Sequence, residues 1–286
     1  HAPTLLSATS ERVRGRGAVA APALLHYDVW AKISAREGYP SMLDVQIAVA
    51  KTNKYATGES GDTVEVVERP HGGFSVVLAD GQGSGRSAKM LSHLITTKAI
   101  SLIKDGVRDG AVARSVHDYL YAYRSGKVSA TLVIVSVDLA TRTLVLSRNS
   151  HCPILLSRPG DDNVLTIIEE PSNPIGIYPM TKPVMAELPL EPHTYAVTYS
   201  DGLMAAGSRD GQPIDLPGLV RECLQAHSTP TARDMADFLM QKALDLDANR
   251  PSDDMSALVL AIHPSPTTES TRIVPQVRRM EMSISV

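Results

Sequence analysis

At 286 residues with 43% hydrophobic side chains, the chain is long enough for one large domain or two small ones with a sizeable core. A net charge of −3, from 28 basic and 31 acidic residues, provides no basic field for nucleic acid, and 4% aromatic residues are too few for base-stacking platforms. The two cysteines, Cys152 and Cys223, lie far apart without a CxxC pair, which argues against zinc and a disulfide framework.

In chain order, residues 1–25 are rich in Ala, Arg and Gly without a sustained period, and a flexible lead-in is expected there. Alternation over residues 26–34 predicts an extra strand, which would serve dimerisation if it extended a sheet edge. Strands are expected at residues 44–50, 63–67 and 75–79, then a helical pair at 86–104 and 110–124. Strands at 131–137 and 143–147 flank a hairpin turn. Further strands follow at 153–157, 164–168, 184–190 and 195–198, the 184–190 segment at a sheet edge between prolines. Helices at 217–226 and 231–246 precede a buried strand at 255–262. Pro264 and Pro266 then break the chain into a tail, 265–286, so the expected domain spans 26–264. Blocks of strands with paired helices predict an α+β fold, antiparallel sheets with helices outside. The longest apolar runs are too short to span a membrane, so a soluble cytoplasmic protein is expected.

The most informative stretch is VVLADGQGSGRSAK at residues 76–89, where an apolar run ends in Asp80-Gly81 before a helix-like segment. Nucleotide loops fit it poorly. Gly81, Gly83 and Gly85 alternate instead of taking the Walker spacing, and a GxGxxG count from Gly81 ends on Arg86. Counted from Gly83, the relaxed form ends on Ala88, but the region some twenty residues on reads as helix and not as a strand ending in an acid. What remains is a carboxylate and a bare carbonyl, both suited to a hard cation. Asp62 stands before one strand, Asp201 after another, and Asp253 and Asp254 before a third. A single aspartate in such a turn is ordinarily a cap or an Asx-turn. Four sets at four strand ends point to a site built of carboxylates.

These segments carry a family resemblance. Ser60-Gly-Asp62, Asp80-Gly-Gln-Gly-Ser-Gly85, Asn149-Ser-His-Cys-Pro-Ile154, Pro174-Ile-Gly-Ile177, Thr198-Tyr-Ser-Asp-Gly-Leu203 and Asp253-Asp-Met-Ser256 occur in the order seen in metal-dependent protein phosphatases of the PPM type. They look most like the bacterial SpoIIE-like branch, over residues 42–262. The resemblance implies a β-sandwich flanked by helix pairs, two Mn²⁺ or Mg²⁺ ions, and hydrolysis of phosphoserine or phosphothreonine on a regulatory protein, of the anti-anti-sigma kind or in a stress complex. By the same resemblance Asp80 would bridge both ions and help activate water, Asp62 and the Gly81 carbonyl would complete one ion, and Asp201 with Asp253 would hold the other. Asp254 would act from behind the ligands.

One departure matters. Many relatives carry a His two residues after the bridging Asp, and here that position is Gln82, an amide that cannot donate a proton to a leaving group. His151, before Cys-Pro at a strand start, is expected to be a satisfied structural residue, and Lys51, Lys54 and Arg69 are expected to stay outside the site. Two other readings stand beside the leading one: a phosphatase-fold binding protein without turnover, and a two-metal hydrolase of a small phosphate ester.

Overall fold

Strand periodicity resolves into two five-stranded antiparallel sheets in a computed structural model that describes residues 43–160, 164–227 and 229–265. The first sheet runs in the order β1 (Leu43–Thr52), β10 (Met255–Pro264), β9 (Thr194–Tyr199), β6 (Ile154–Ser157) and β7 (Thr166–Ile168). The second runs β2 (Asp62–Glu68), β3 (Gly73–Gly81), β4 (Ala130–Asp138), β5 (Thr143–Asn149) and β8 (Val184–Pro189). Side chains alternate faces along a strand, so Val76 and Leu78 point between the sheets and meet Leu258, Leu260 and Ile262 there. Their neighbours Val77 and Ala79 point outward under helices. A strand covered on both faces should read as an unbroken apolar run. β10 does so because Ala257, Val259 and Ala261 face the helices while Leu258, Leu260 and Ile262 face the other sheet.

Two helical layers close the sandwich. α1 (Gly85–Lys104) and α2 (Asp109–Arg124) bury Leu91, Ile95, Ala99, Val112, Val116 and Leu120 on the second sheet, at the three- and four-residue spacing of an amphipathic face. After the single turn α3 (Asp201–Met204), α4 (Leu216–Ala226) and α5 (Ala232–Leu246) cover the first sheet with Val220, Met235, Leu239 and Ala243. Local chemistry sets their starts. Asp215 accepts a hydrogen bond from the Gly218 N–H, and Thr231 with Asp234 forms a reciprocal capping box.

The expected hairpin is present: β4 and β5 pair through Asp138↔Thr143, and Asp138 Oδ1 accepts from the N–H groups of Ala140 and Thr141 in the turn. The strand expected at 164–168 covers only Thr166–Ile168. The 184–190 segment forms the edge strand β8, ending at Pro189. The lead-in, the strand expected at 26–34 and the tail beyond Ser265 lie outside the described residues.

Candidate functional site

Alternation carries two carboxylates to one end of the space between the sheets. Asp80 follows Val76 and Leu78 on the inward face of β3, and Asp62 sits directly opposite it in the β2–β3 register. Like charges placed opposite each other on adjacent strands are unfavourable unless something screens them. From the other sheet, Ser256 shares the inward face with Leu258 and donates to Asp62 Oδ2 at 2.6 Å. Asp201 opens α3 at the end of β9, and Asp253 and Asp254 lead into β10. Together with Lys54, Gly81, Gln82, Ser129, His151 and Pro174, these residues line a cavity of about 510 Å³ that opens to solvent.

The electrostatics of this pocket are those of an under-compensated acid cluster. Asp62 is 1% exposed, and its Oδ1 has no hydrogen-bond partner among the described residues. Burial pushes the Asp62 carboxyl up to about 6 despite the hydroxyls of Ser256 and Ser200. Burial, and then the charges of Asp62, Asp201 and Asp253, push Asp80 up to about 9. An orphaned buried carboxylate oxygen facing three further carboxylates is a donor set that fits hard divalent cations. Among the described residues, the acidic side chains ring the cavity without three of them already converging on one point.

Backbone contacts explain how distant segments meet here. Asp254, 5% exposed, accepts from the Lys54 N–H at 2.9 Å and the Gly61 N–H at 2.7 Å, pinning the β1–β2 loop on which Asp62 ends. Ser200 Oγ donates to the Asp254 carbonyl and accepts from the Ser256 N–H, joining the start of α3 to β10. Two glycines are demanded by close approach. A Cβ on Gly81 would stand 2.4 Å from the Ala88 carbonyl oxygen, and one on Gly202 would stand 2.1 Å from that of Asp254.

Asp62, Asp80, Gly81, Asp201, Asp253 and Asp254 are thus brought to one pocket; two expectations, for Lys54 and His151, need correction, while Lys51 stays outside the lining and bonds behind it. Lys54 lines the cavity, since the bond from Asp254 holds its backbone at the rim. Lys51 Nζ donates to the Asp62 carbonyl at 2.6 Å, with Lys89 Nζ beside it at 3.0 Å. His151 is no buried structural residue: its side chain is 56% exposed on the pocket wall, with Nε2 4.0 Å from Asp201 Oδ2. The buried partner in that segment is Cys152, whose thiol burial pushes up to about 12 and so keeps unreactive. Arg69 does stay away, bonded to Asp109, Ser75 and Ser136 in a nearly buried network that begins at the other end of β3. Ser200 and Ser256 fall within the quoted segments, yet the motif reading assigns to neither the hydrogen bonds it makes here. Both follow the inward alternation of their strands, and that parity was the available signal.

Gln82 extends the β3–β4 pairing. Its N–H donates to the Ser129 carbonyl, and its Oε1 accepts from the Ser129 N–H at 2.9 Å. The Pro174 wall is fixed in turn by the Ala130↔Ile175 bridge and by Gly176 N–H donating to His117 Nδ1 at 3.1 Å.

Comparison with known proteins agrees with this arrangement. The Stage II sporulation protein E of Priestia megaterium is 21% identical over 232 residues, which cover 79% of this chain and 38% of that protein. The chain therefore spans about two fifths of that relative's length. Among solved structures, the PP2C phosphatase domain with a fragment of the regulatory domain of SpoIIE from Bacillus subtilis superposes with a TM-score of 0.66 at 18% identity, over 79% of this chain and 65% of that one. The catalytic domain of the serine/threonine phosphatase PstP, solved with two manganese ions, gives 0.58 at 17% identity over 78% of this chain and all of that one. These likenesses show that the fold is that of PP2C phosphatase domains. The profile of the family described as Stage II sporulation protein E (SpoIIE) matches residues 70–263, more than half of the sequence, and the chain belongs to that family.

Proposed function

We propose that the chain is a divalent-metal-dependent protein serine/threonine phosphatase, with Asp62, Asp80, the Gly81 carbonyl, Asp201 and Asp253 as its metal ligands. The observation that carries this reading is the buried, unpartnered Asp62 Oδ1 facing Asp80 across two strands. All the donors are oxygens, the set that suits Mn²⁺ or Mg²⁺, and the similar PstP domain holds two manganese ions. Such ions, when bound, lower the pKa of a coordinated water toward neutrality and neutralise phosphoryl charge.

The chain's own residues do the rest. Asp80 feels the charges of Asp62 on one hand and of Asp201 and Asp253 on the other, and would be the residue shared between the two ions. Ser256 fixes the rotamer of Asp62 through Oδ2 and leaves Oδ1 free to ligate. Lys54 lines the pocket, and its ammonium group would supply a point charge to incoming phosphoryl oxygens. An open cavity of this size admits a phosphorylated side chain carried on another protein, and we assign the substrate to phosphoserine or phosphothreonine on a regulatory protein of a partner-switching kind.

The test is hydrolysis of an aryl phosphate with Mn²⁺, with Mg²⁺ and with chelator, for the native chain and for Asp80→Asn, followed by a phosphopeptide panel against small phosphate esters. Metal-dependent turnover that Asp80→Asn abolishes, with preference for phosphopeptides, is expected. Turnover that persists in chelator sinks the metal reading, and preference for small alkyl phosphates over phosphopeptides, compared at equal leaving-group reactivity, sinks the protein-substrate reading.

A further inference from the structure

We propose that the imidazole of His151 is a metal ligand on the Asp201 side of the pocket, so that this position is a mixed nitrogen and oxygen site preferring a first-row transition ion over Mg²⁺. The inference rests on the metal-dependent reading above and adds a nitrogen donor to its all-oxygen set.

Three observations support it. His151 Nε2 and Asp201 Oδ2 are 4.0 Å apart, too far for a direct hydrogen bond. Metal bonds from imidazole nitrogen and carboxylate oxygen are each roughly 2 Å, so this separation leaves room for an ion between the two atoms. Next, the ring is not held by the core: it is 56% exposed and lines the same cavity as Asp80, Asp201 and Asp253.

Third, the backbone on either side of His151 is clamped. The fully buried guanidinium of Arg148 donates to the carbonyls of Ser150, Cys152 and Glu170, while the Cys152 N–H donates to Ser150 Oγ at 3.0 Å. Asn149 Nδ2 ties the same corner to the carbonyls of Asn173 and Lys182. The framework accepts costs of its own, since Arg148 Nε and Asn149 Oδ1 are buried without partners among the described residues. So rigid a corner fixes the position and the Cα–Cβ direction from which the imidazole is presented to the pocket, which leaves only side-chain rotation to be set by an ion. Neutral imidazole is a better ligand for first-row transition ions than for Mg²⁺, which keeps oxygen ligands and water.

The experiment uses the full chain and His151→Gln, with Mn²⁺ as the probe. Calorimetric titration gives Mn²⁺ and Mg²⁺ affinities, and electron spin-echo spectroscopy of the Mn²⁺-loaded protein reports directly bound nitrogen. The expected result is nitrogen modulation in the native chain that vanishes in His151→Gln. Mn²⁺ affinity should fall by more than the roughly 10- to 100-fold typical of an outer-sphere partner, while Mg²⁺ affinity changes little. Because His151 is exposed, the variant should unfold at the same temperature as the native chain. Mn²⁺ bound without nitrogen modulation, or equal losses for the two ions, overturns the role of His151 and leaves the phosphatase reading standing. No Mn²⁺ binding by the native chain overturns both.

Discussion

Asp62 and Asp80 face each other across the β2–β3 ladder, two carboxylates at one rung of a sheet, with Ser256 bonding one of the four oxygens. A fold keeps such a pair only if it is compensated by protons, by a cation or by stability supplied elsewhere.

The pair makes stability depend on pH with a defined sign. Both carboxyls have raised values in the folded chain, Asp62 from 3.8 to about 6 and Asp80 to about 9. Between those values the folded state holds protons that the unfolded state has released, so the contribution is present below about pH 4 and is lost as pH rises through the folded values. For Asp62 the rise corresponds to on the order of 3 kcal/mol. In chelator, Asp80→Asn should therefore melt above the native chain, by a margin that widens from pH 4 to pH 9. Added Mn²⁺ should raise the native melting temperature more at pH 8 than at pH 5. A margin that does not change with pH contradicts the assignment.

Lys54 is the lysine on the pocket wall, and its backbone is fixed by Asp254. Losing a hydrogen bond to a charged group costs about 1.5–3 kcal/mol, roughly a 10- to 100-fold effect. Lys54→Met should weaken competitive inhibition by inorganic phosphate and raise KM for an aryl phosphate by that order, with Mn²⁺ affinity unchanged. Lys54→Arg should recover part of the loss. Unaltered phosphate inhibition in the methionine variant would remove Lys54 from the site.

Ser256→Ala deletes the hydroxyl bonded to Asp62 Oδ2 and leaves a buried carboxylate with both oxygens unpartnered. The variant should lose about 1–3 kcal/mol of stability in chelator. Its Asp62 should also hold its proton to higher pH, so metal affinity should drop more at pH 6 than at pH 8. Calorimetric titration at the two pH values reads this directly.

Gln82 uses Oε1 to accept from the Ser129 N–H and cannot donate a proton to a leaving alkoxide. Aryl phosphates, whose leaving group needs little protonation, should turn over faster than phosphoserine peptides at saturating metal. Gln82→His should narrow that gap. Equal turnover of the two substrates by the native chain would show that another acid is in place.

Much of this architecture is legible along the chain because it depends on local periodicity. Alternating Val76, Leu78 and Asp80 reveals which face of β3 is inward, and the spacing of Leu91, Ile95 and Ala99 reveals the buried stripe of α1. The acidic positions are legible because each ends or begins a strand. Lys54 and His151 are not, because their placement comes from partners remote in sequence. Lys54 is drawn to the pocket by Asp254, 200 residues away, and His151 is turned outward by buried Arg148 and Cys152 beneath it. Whether a histidine beside a buried cysteine faces core or solvent depends here on how the bend between β5 and β6 is held, and the local pattern His-Cys-Pro does not encode it.

The bonds from Asp254 to Lys54 and Gly61 also carry a consequence for biosynthesis. The loop before β2 leaves the ribosome about 200 residues ahead of the carboxylate that pins it, which arrives with β10, the strand that also pairs both β1 and β9. Until β10 is inserted, β1 has no partner in the first sheet among the described residues, and the loop that leads into Asp62 is unanchored although Asp62 itself can already pair with Asp80. Fragments cut before residue 253 therefore lack two of the pocket carboxylates, the anchor among them, and the pocket closes only when contacts between segments about 200 residues apart have formed.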